Sequence, residues 1–232
     1  MEEFRKEPVT IGLILINILV FLAVEFTGGS QNTLHMLEWG AAYTPGIVED
    51  GEFYRLFTSM FLHFGIEHLA NNMLVLFVLG SRMEQVTGRI RFLVIYLTGG
   101  VLGNIISMLL EIRSGDFAVS AGASGAVFAV MGAMIYVVIR NKGWLGDLSM
   151  RQILIMAGFS LYFGFTSSGV DNGAHVGGMI SGLYWQYFCI IPDIQNLIKS
   201  GRVQNNVYSY GSGRKTVKQD PLPGVLVTVR VP

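Results

Sequence analysis

Four polar side chains in this sequence have the chemistry that acyl transfer requires, and they fall within strongly apolar segments: Ser124, His175, His68 and Asn72. A serine hydroxyl is a weak nucleophile until a base accepts its proton, and an imidazole within hydrogen-bonding distance can be that base. Amide and imidazole N–H groups can stabilise the oxyanion of a tetrahedral intermediate. These residue types predict a serine-hydrolase site with Ser124 as nucleophile and His175 as base.

Small residues surround the candidate nucleophile, which lies in the sequence Gly122-Ala123-Ser124-Gly125. Gly122 and Gly125 leave room for a substrate backbone, and Gly122 permits an irregular approach to a helix. If a helix begins near Ser124, its unpaired N–H groups and its dipole favour a nearby anion. Taken alone, such a serine more often serves packing or capping. Several polar groups at one membrane depth instead favour a functional site, because each is costly there.

The elements that would position these side chains are membrane helices. The sequence is 51% hydrophobic and only 14% charged, whereas a soluble domain has about 25% charged residues. A membrane-spanning helix needs about 20 mostly apolar residues, and we therefore predict an all-α membrane protein, a bundle of six transmembrane helices. The six apolar runs are Thr10–Phe26, Glu67–Ser81, Arg91–Leu110, Val119–Ile139, Ile153–Ser167 and Gly173–Ile191.

The distribution of basic residues predicts the orientation of these runs. Nearly all of the 16 Lys and Arg residues fall before the first run, in alternate loops, or after the sixth run. By the positive-inside rule both termini are then cytoplasmic, which requires an even number of spans. The second, fourth and sixth runs all begin at the outer face in this topology. Because the first turns of these runs carry the four polar side chains, we expect those side chains at a similar depth.

One membrane domain and a tail account for the chain. We assign residues 1–9 to a cytoplasmic N-terminus and residues 10–192 to the membrane domain, in which residues 27–52 form a long outer loop. Residues 193–232 form a cytoplasmic tail, which its Gly, Ser, Asn and Lys content predicts to be flexible.

Composition also limits the partners. The formal net charge of +0 gives no electrostatic reason to expect a nucleic acid. The single cysteine, Cys189, permits no intramolecular disulfide and indicates no cysteine-based metal site. We therefore expect no nucleic acid, no metal and no cofactor, and we expect the lipid bilayer as the surrounding medium.

In their order along the chain, these motifs resemble the rhomboid family of intramembrane serine proteases, in the bacterial type with six transmembrane helices. The serine motif alone is not specific, because a similar string, Gly-x-Ser-x-Gly, occurs in other hydrolases on a strand-turn-helix elbow. Three elements in the right order on the right helices are far more specific than such a string. They are residues 55–63 (RLFTSMFLH) continuing through His68 and Asn72, then residues 122–125 (GASG), then Ala174-His175 followed by Gly178 and Gly182.

The resemblance implies a Ser124–His175 dyad without a third, acidic residue. It also implies an oxyanion site formed by His68, Asn72 and the Ser124 backbone N–H. An aromatic ring one turn after the serine packs on the catalytic imidazole in this family. That residue is Phe128 here, where some relatives have tyrosine.

Several further residues are expected to have structural roles. Asp171 lies four residues before His175, and we favour an N-cap of the sixth helix over a triad acid. We expect His63 to hold water near the site or to bond the first loop. Glu84 resembles a structural acid of the family, and Tyr54-Arg55 replaces the Trp-Arg pair that is common in relatives.

By this resemblance the chain is an endopeptidase that cleaves transmembrane segments of membrane proteins near the outer face. We expect a multi-pass protein of the bacterial inner membrane. The leading alternative is a catalytically inactive rhomboid-like protein that binds membrane helices. A small transporter is less favoured, because no charged residue falls at mid-membrane to couple an ion.

Overall fold

The computed structural model describes residues 7–141, 143–145, 148–166 and 170–188, and almost all of its regular structure is helical. Six long helical segments dominate these residues: α1 (Pro8–Thr27), a segment built from α5 (Ile66–Val75) and α6 (Ser81–Thr87), α7 (Arg89–Ser114), α8 (Ser124–Arg140), α9 (Met150–Thr166) and α10 (Asn172–Phe188). A short antiparallel hairpin of β1 (Trp144–Leu145) and β2 (Leu148–Ser149) joins α8 to α9. The predicted tail lies outside the described residues.

By length and composition, α1 and α7 are able to cross a membrane. The bent pair Arg55–Phe61 and Ile66–Thr87 adds a third span if it is counted as one, and α8 is apolar but shorter. The long helices present large apolar side chains outward, among them Leu19 on α1, Leu74 on α5 and Ile180 on α10, each more than half exposed. Such a surface suits lipid rather than water. The predicted count of six spans stays a prediction.

The second helical segment extends beyond the predicted run, which ended at Ser81. A π-helical segment, Leu76–Gly80, joins α5 to α6, and helix continues to Thr87. The apolar run ended early because α6 carries Glu84, which is 2% exposed. Its carboxylate accepts hydrogen bonds from Val9 N, Thr10 N and Thr10 Oγ1, at 3.1, 2.8 and 2.8 Å. Glu84 therefore satisfies N–H groups that the start of α1 leaves unpaired.

Two short helices that the sequence did not predict lie within the predicted loop of residues 27–52, namely α2 (Thr33–Glu38) and α3 (Thr44–Val48), and a third, α4 (Arg55–Thr58), follows it. Arg55 connects them, since its Nη1 donates to Leu37 O at 2.7 Å and to Ala41 O at 2.9 Å. Its Nε donates to Glu52 at 2.6 Å. A planar guanidinium offers several donors in a fixed geometry, and here it holds distant parts of the loop together.

The core of the bundle is the close contact of α7, α8 and α10. A Cβ at Gly178 would lie 2.1 Å from Gly125 O, and one at Gly182 would lie 1.8 Å from Ala129 O. On the other side, a Cβ at Gly103 would lie 2.8 Å from Ala174 O. Small residues four apart let helix backbones approach in lipid. Gly103, Gly178 and Gly182 allow this close packing, which brings the start of α10 against the start of α8.

Candidate active site

Ser124 is the first residue of α8, and extended chain rather than helix precedes it. The predicted helix over Val119–Ile139 is therefore wrong at its first five residues. Ala42 and Ser120 exchange two backbone hydrogen bonds of 2.8 and 2.9 Å, and Gly122 N donates to Ser59 O at 2.9 Å. These bonds satisfy the backbone of the segment without helix, and they fix the place at which α8 begins.

Gly122 cannot be replaced by a larger residue without strain. Its φ of +150° is a conformation that residues with a Cβ rarely adopt. A Cβ built there would lie 2.8 Å from His68 Cε1 and 3.6 Å from Ser124 Oγ. The His68 imidazole therefore lies directly over Gly122, beside the serine hydroxyl. This contact brings two of the predicted site residues together from different helices.

His175 lies in the first turn of α10 and is 6% exposed. Its imidazole stacks on the ring of Phe128, with centroids 4.4 Å apart and planes inclined by 15°. Phe128 is one turn after Ser124 on the same face of α8. A Cβ at Gly125 would lie 3.5 Å from Ala174 O, so the residues next to the serine and the histidine are also in contact. The structure thus brings Ser124 and His175 to adjoining positions.

The hydrogen bonds of the two proposed catalytic groups are incomplete. Among the described residues, Ser124 Oγ and His175 form no hydrogen bond, and His175 Nδ1 is buried without a partner. Catalytic hydrogen bonds are often long in ligand-free structures and tighten when the substrate binds. The candidate nucleophile and the candidate base are therefore close together, but no hydrogen bond joins them.

Asp171 is the N-cap of α10, as the sequence predicted. Its Oδ1 accepts the Ala174 N–H at 2.8 Å, the bond that defines an N-cap side chain. The same carboxylate accepts the hydroxyls of Ser107 at 2.6 Å and Ser120 at 2.8 Å. It makes no hydrogen bond to the His175 ring. The two serines were missed by sequence reasoning, because they lie 64 and 51 residues from Asp171 and no local pattern links them to it.

The candidate oxyanion groups lie in the first two turns of α5. His68 and Asn72 are four residues apart and therefore share a face of this helix. Asn72 is 7% exposed, and its Nδ2 donates to His68 O at 3.0 Å. One of its two amide hydrogens is used in this bond, and the second remains for another acceptor. The first N–H groups of α8, which have no partner within the helix, begin at Ser124.

His63 supports the segment that leads to the nucleophile. It is 1% exposed, and its Nε2 accepts the Ala123 N–H at 3.3 Å. Its ring also meets the edge of the His68 ring, at a centroid distance of 5.1 Å. The expected structural role fits this position, but the hydrogen bond goes to the residue before Ser124 rather than to the first loop. Within the described ranges, no cluster of three His, Cys, Asp or Glu side chains is placed to hold a metal.

Comparison with known proteins agrees with these motifs. A family model described as the rhomboid domain matches residues 50–192. The chain is 38% identical over 179 residues to the rhomboid protease GluP of Bacillus subtilis (strain 168), a match that covers 77% of this chain and 34% of GluP. It is 31% identical over 143 residues to the putative rhomboid protease YdcA of the same organism, covering 62% of this chain and 70% of YdcA.

A plant protein is similar as well. The chain is 38% identical over 169 residues to the RHOMBOID-like protein 6, mitochondrial, of Arabidopsis thaliana, covering 71% of this chain and 50% of that protein. The match thus spans about a third of GluP and half of the plant protein. From the matched domain, the relatives and its apolar helices, the chain is an integral membrane protein that belongs to the rhomboid family.

Proposed function

We propose that this protein is an intramembrane serine endopeptidase that cleaves transmembrane segments of other membrane proteins near the outer face. The observation that carries the proposal is the stack of His175 on Phe128, one turn after Ser124. It sets an imidazole beside a serine hydroxyl at the start of an apolar helix. Relatives named as rhomboid proteases support the same reaction class.

The reaction begins when Ser124 Oγ attacks the carbonyl carbon of the scissile peptide bond. His175 accepts the hydroxyl proton as the new C–O bond forms, and the carbonyl oxygen becomes an oxyanion. The C–N bond then breaks, and His175 gives its proton to the leaving amine. Water then attacks the acyl-enzyme while His175 accepts a proton from it. His175 gives this proton to Ser124 Oγ as the ester bond breaks, which frees Ser124. No metal or cofactor takes part in this sequence.

Three donors are available to the oxyanion, namely the Ser124 N–H, the Asn72 amide and the His68 imidazole. The positive end of the α8 dipole adds to them, because the nucleophile is the first residue of that helix. Donors that are aimed in advance at developing charge are usually the largest single contribution to such catalysis.

Substrates follow from the surroundings of the site. A helix in lipid satisfies its own backbone, so local unwinding to expose one peptide bond is costly. We propose that a substrate helix enters sideways near α9 and unwinds at the site. Transmembrane segments with helix-breaking or small residues near the outer face are therefore the preferred substrates.

The topology completes the proposal. Six spans with both termini in the cytoplasm place the starts of α5, α8 and α10 at the outer face, as the basic residues predict. The membrane domain is residues 10–192, with a tail at residues 193–232. We propose that the protein lies in a bacterial inner membrane, since two of its relatives are bacterial.

Cleavage in liposomes tests the proposal. The wild type, Ser124→Ala and His175→Ala are reconstituted with a single-span substrate that contains Gly and Pro near its outer end. We expect the wild type to cut it and both variants to be inactive, with unfolding temperatures close to that of the wild type. A fluorophosphonate probe, which reacts with activated serines, should label the wild type and not Ser124→Ala.

Two outcomes would overturn this function. Cleavage that persists in Ser124→Ala removes Ser124 as the nucleophile. A wild type that binds several permissive substrates, but neither cuts them nor reacts with the probe, is a helix-binding protein without catalysis. Ser124 and His175 would then remain without the hydrogen bond that proton transfer requires.

A further inference from the structure

The carboxylate of Asp171 joins three separate parts of the chain around the proposed site. Oδ1 accepts Ala174 N at 2.8 Å and Ser107 Oγ at 2.6 Å, while Oδ2 accepts Ser120 Oγ at 2.8 Å. Ala174 belongs to α10, Ser107 to α7, and Ser120 to the extended segment before α8. Both carboxylate oxygens therefore accept hydrogen bonds, Oδ1 from α10 and α7 and Oδ2 from the segment before α8.

Each of these contacts lies next to a residue that the proposed reaction needs. Ala174 directly precedes His175, and Ser120 is four residues before Ser124. Ser107 is one turn beyond Gly103, whose Cα approaches Ala174 O so closely that a Cβ there would be 2.8 Å from it. The Asp171 side chain thus connects the start of the helix that carries the base to the segment that ends at the nucleophile.

Two simpler roles explain less of this geometry. An N-cap needs only the bond to Ala174 N, yet the carboxylate also receives two serine hydroxyls from elsewhere in the chain. A triad acid needs a bond to the imidazole, yet His175 Nδ1 has no partner in the described structure. Hydrogen bonds to an ionised carboxylate are stronger than those between neutral groups, so this junction is suited to holding two elements at a fixed separation.

We infer that Asp171 is a positioning residue: through Ser120 and Ala174 it fixes the separation between His175 and Ser124 that proton transfer requires. This inference rests on the proposed protease function. It assigns the carboxylate no proton transfer and no contact with substrate. We expect its effect to fall on the chemical step, because the carboxylate bonds to residues of this chain that flank Ser124 and His175.

The variants separate capping from positioning. Asp171→Ser keeps a side-chain oxygen that can cap α10, but its side chain is one atom too short to join Ser120 and Ala174 at once. Asp171→Ala removes both functions, and Ser120→Ala removes one arm of the junction while leaving the cap intact. Asn32→Ala is the matched control, because Asn32 caps α2 in the outer loop by accepting Leu34 N and His35 N.

The measurements are kcat and KM for the single-span substrate in liposomes, the rate of fluorophosphonate labelling, and the unfolding temperature. Misplacing a catalytic group by a small distance can cost about 100-fold in rate. We expect Asp171→Ser and Ser120→Ala to lower kcat and the labelling rate by about tenfold or more, with KM nearly unchanged. Asn32→Ala should leave kcat and the labelling rate close to those of the wild type.

The kcat of the double variant, Asp171→Ala with Ser120→Ala, gives the second readout. If Ser120 acts through Asp171, adding Ser120→Ala to Asp171→Ala should cause no further loss of kcat. Wild-type kcat in Asp171→Ser would show that capping is the whole role and would overturn the inference, as would independent losses in the double variant. Failure of the protease function itself is distinguishable, because the wild type would then neither cut nor react with the probe.

Discussion

The imidazole of His175 lies nearly parallel to the ring of Phe128, at a centroid distance of 4.4 Å. The two residues come from α10 and α8, so the stack is a direct contact between the helix of the proposed base and the helix of the proposed nucleophile. A flat face against the imidazole restricts its rotation to the plane of that ring. Several consequences of this and other contacts can be measured.

Replacing Phe128 tests the value of the stack. Aromatic pairs contribute about 0.5–1.5 kcal/mol beyond the area that they bury. We expect Phe128→Leu to lower kcat for cleavage, since leucine fills the space without holding the imidazole flat. Phe128→Tyr keeps the ring and should remain active. Equal kcat values for the leucine variant and the wild type would show that the stack does not orient the base.

Gly122→Ala should abolish activity. The positive φ costs about 1–3 kcal/mol for a residue with a Cβ, and the new methyl would lie 2.8 Å from His68 Cε1. Either the His68 ring or the start of α8 must then move. The measurement is the rate of fluorophosphonate labelling, beside the unfolding temperature.

Gly12→Ala is the matched control for that substitution. Gly12 lies within α1, and a Cβ there would have nothing within 4 Å. Alanine favours a helix more than glycine by about 1 kcal/mol, so this variant should be as stable as the wild type or more so, and fully active. If both glycine variants lost activity alike, the local clash at Gly122 would not be the cause.

Glu84→Ala should destabilise the bundle without a direct effect on the site. The variant leaves Val9 N, Thr10 N and Thr10 Oγ1 without their shared acceptor. An unsatisfied buried donor costs about 1–3 kcal/mol, so a clear fall in the unfolding temperature in detergent is expected. The exposed Glu49 offers a control, since Glu49→Ala removes a carboxylate of equal charge without burying an unpaired group. An unchanged unfolding temperature in Glu84→Ala would contradict this role.

Acid should loosen the outer loop through the Glu52–Arg55 pair. The hydrogen bond from Arg55 holds the pKa of the Glu52 carboxyl below its ordinary value of 4.5. A lowered pKa in the folded state stabilises the loop above the unfolded value, and this stabilisation is lost as the pH falls through the folded value. Limited proteolysis within residues 28–54 should therefore accelerate on acidification below about 4.5.

Two variants check the source of that pH dependence. Glu52→Gln should show the same faster proteolysis at neutral pH and little change on acidification. Arg55→Lys should also loosen the loop, because an ammonium cannot reach Glu52, Leu37 O and Ala41 O together. A loop in Glu52→Gln that still loosens with acid would place the responsible group elsewhere.

The positions of the long helices could be predicted from the sequence, since they depend on runs of apolar residues. α1 and α7 lie within a few residues of the predicted runs. The first turns of α5 and α10 carry the predicted polar side chains. The family motifs pointed to Ser124, His175 and His68. The structure brings these residues together, because each lies near the start of its helix.

What could not be predicted depends on contacts that are distant in sequence. The residues from Val119 to Ala123 are as apolar as a helix, but pairing with Ala42 and Ser59 keeps them extended. The predicted second run stopped before α6, because a carboxylate normally ends an apolar membrane run. Only the structure shows that Glu84 meets the start of α1. The Asp171 junction is a third case, since its partners come from three separate segments.

The π-helical segment at Leu76–Gly80 lies between the candidate oxyanion residues and Glu84. A π turn holds more residues than an α turn, so it shifts the angular phase of the helix on either side. α5 places His68 against Gly122, while α6 directs Glu84 toward α1. Each residue of an α-helix turns by about 100°, so the extra residue in the π turn changes the direction of Glu84 relative to that of His68. The π turn thus sets the direction of a proposed oxyanion donor at one end of this helical segment relative to that of a structural carboxylate at the other end.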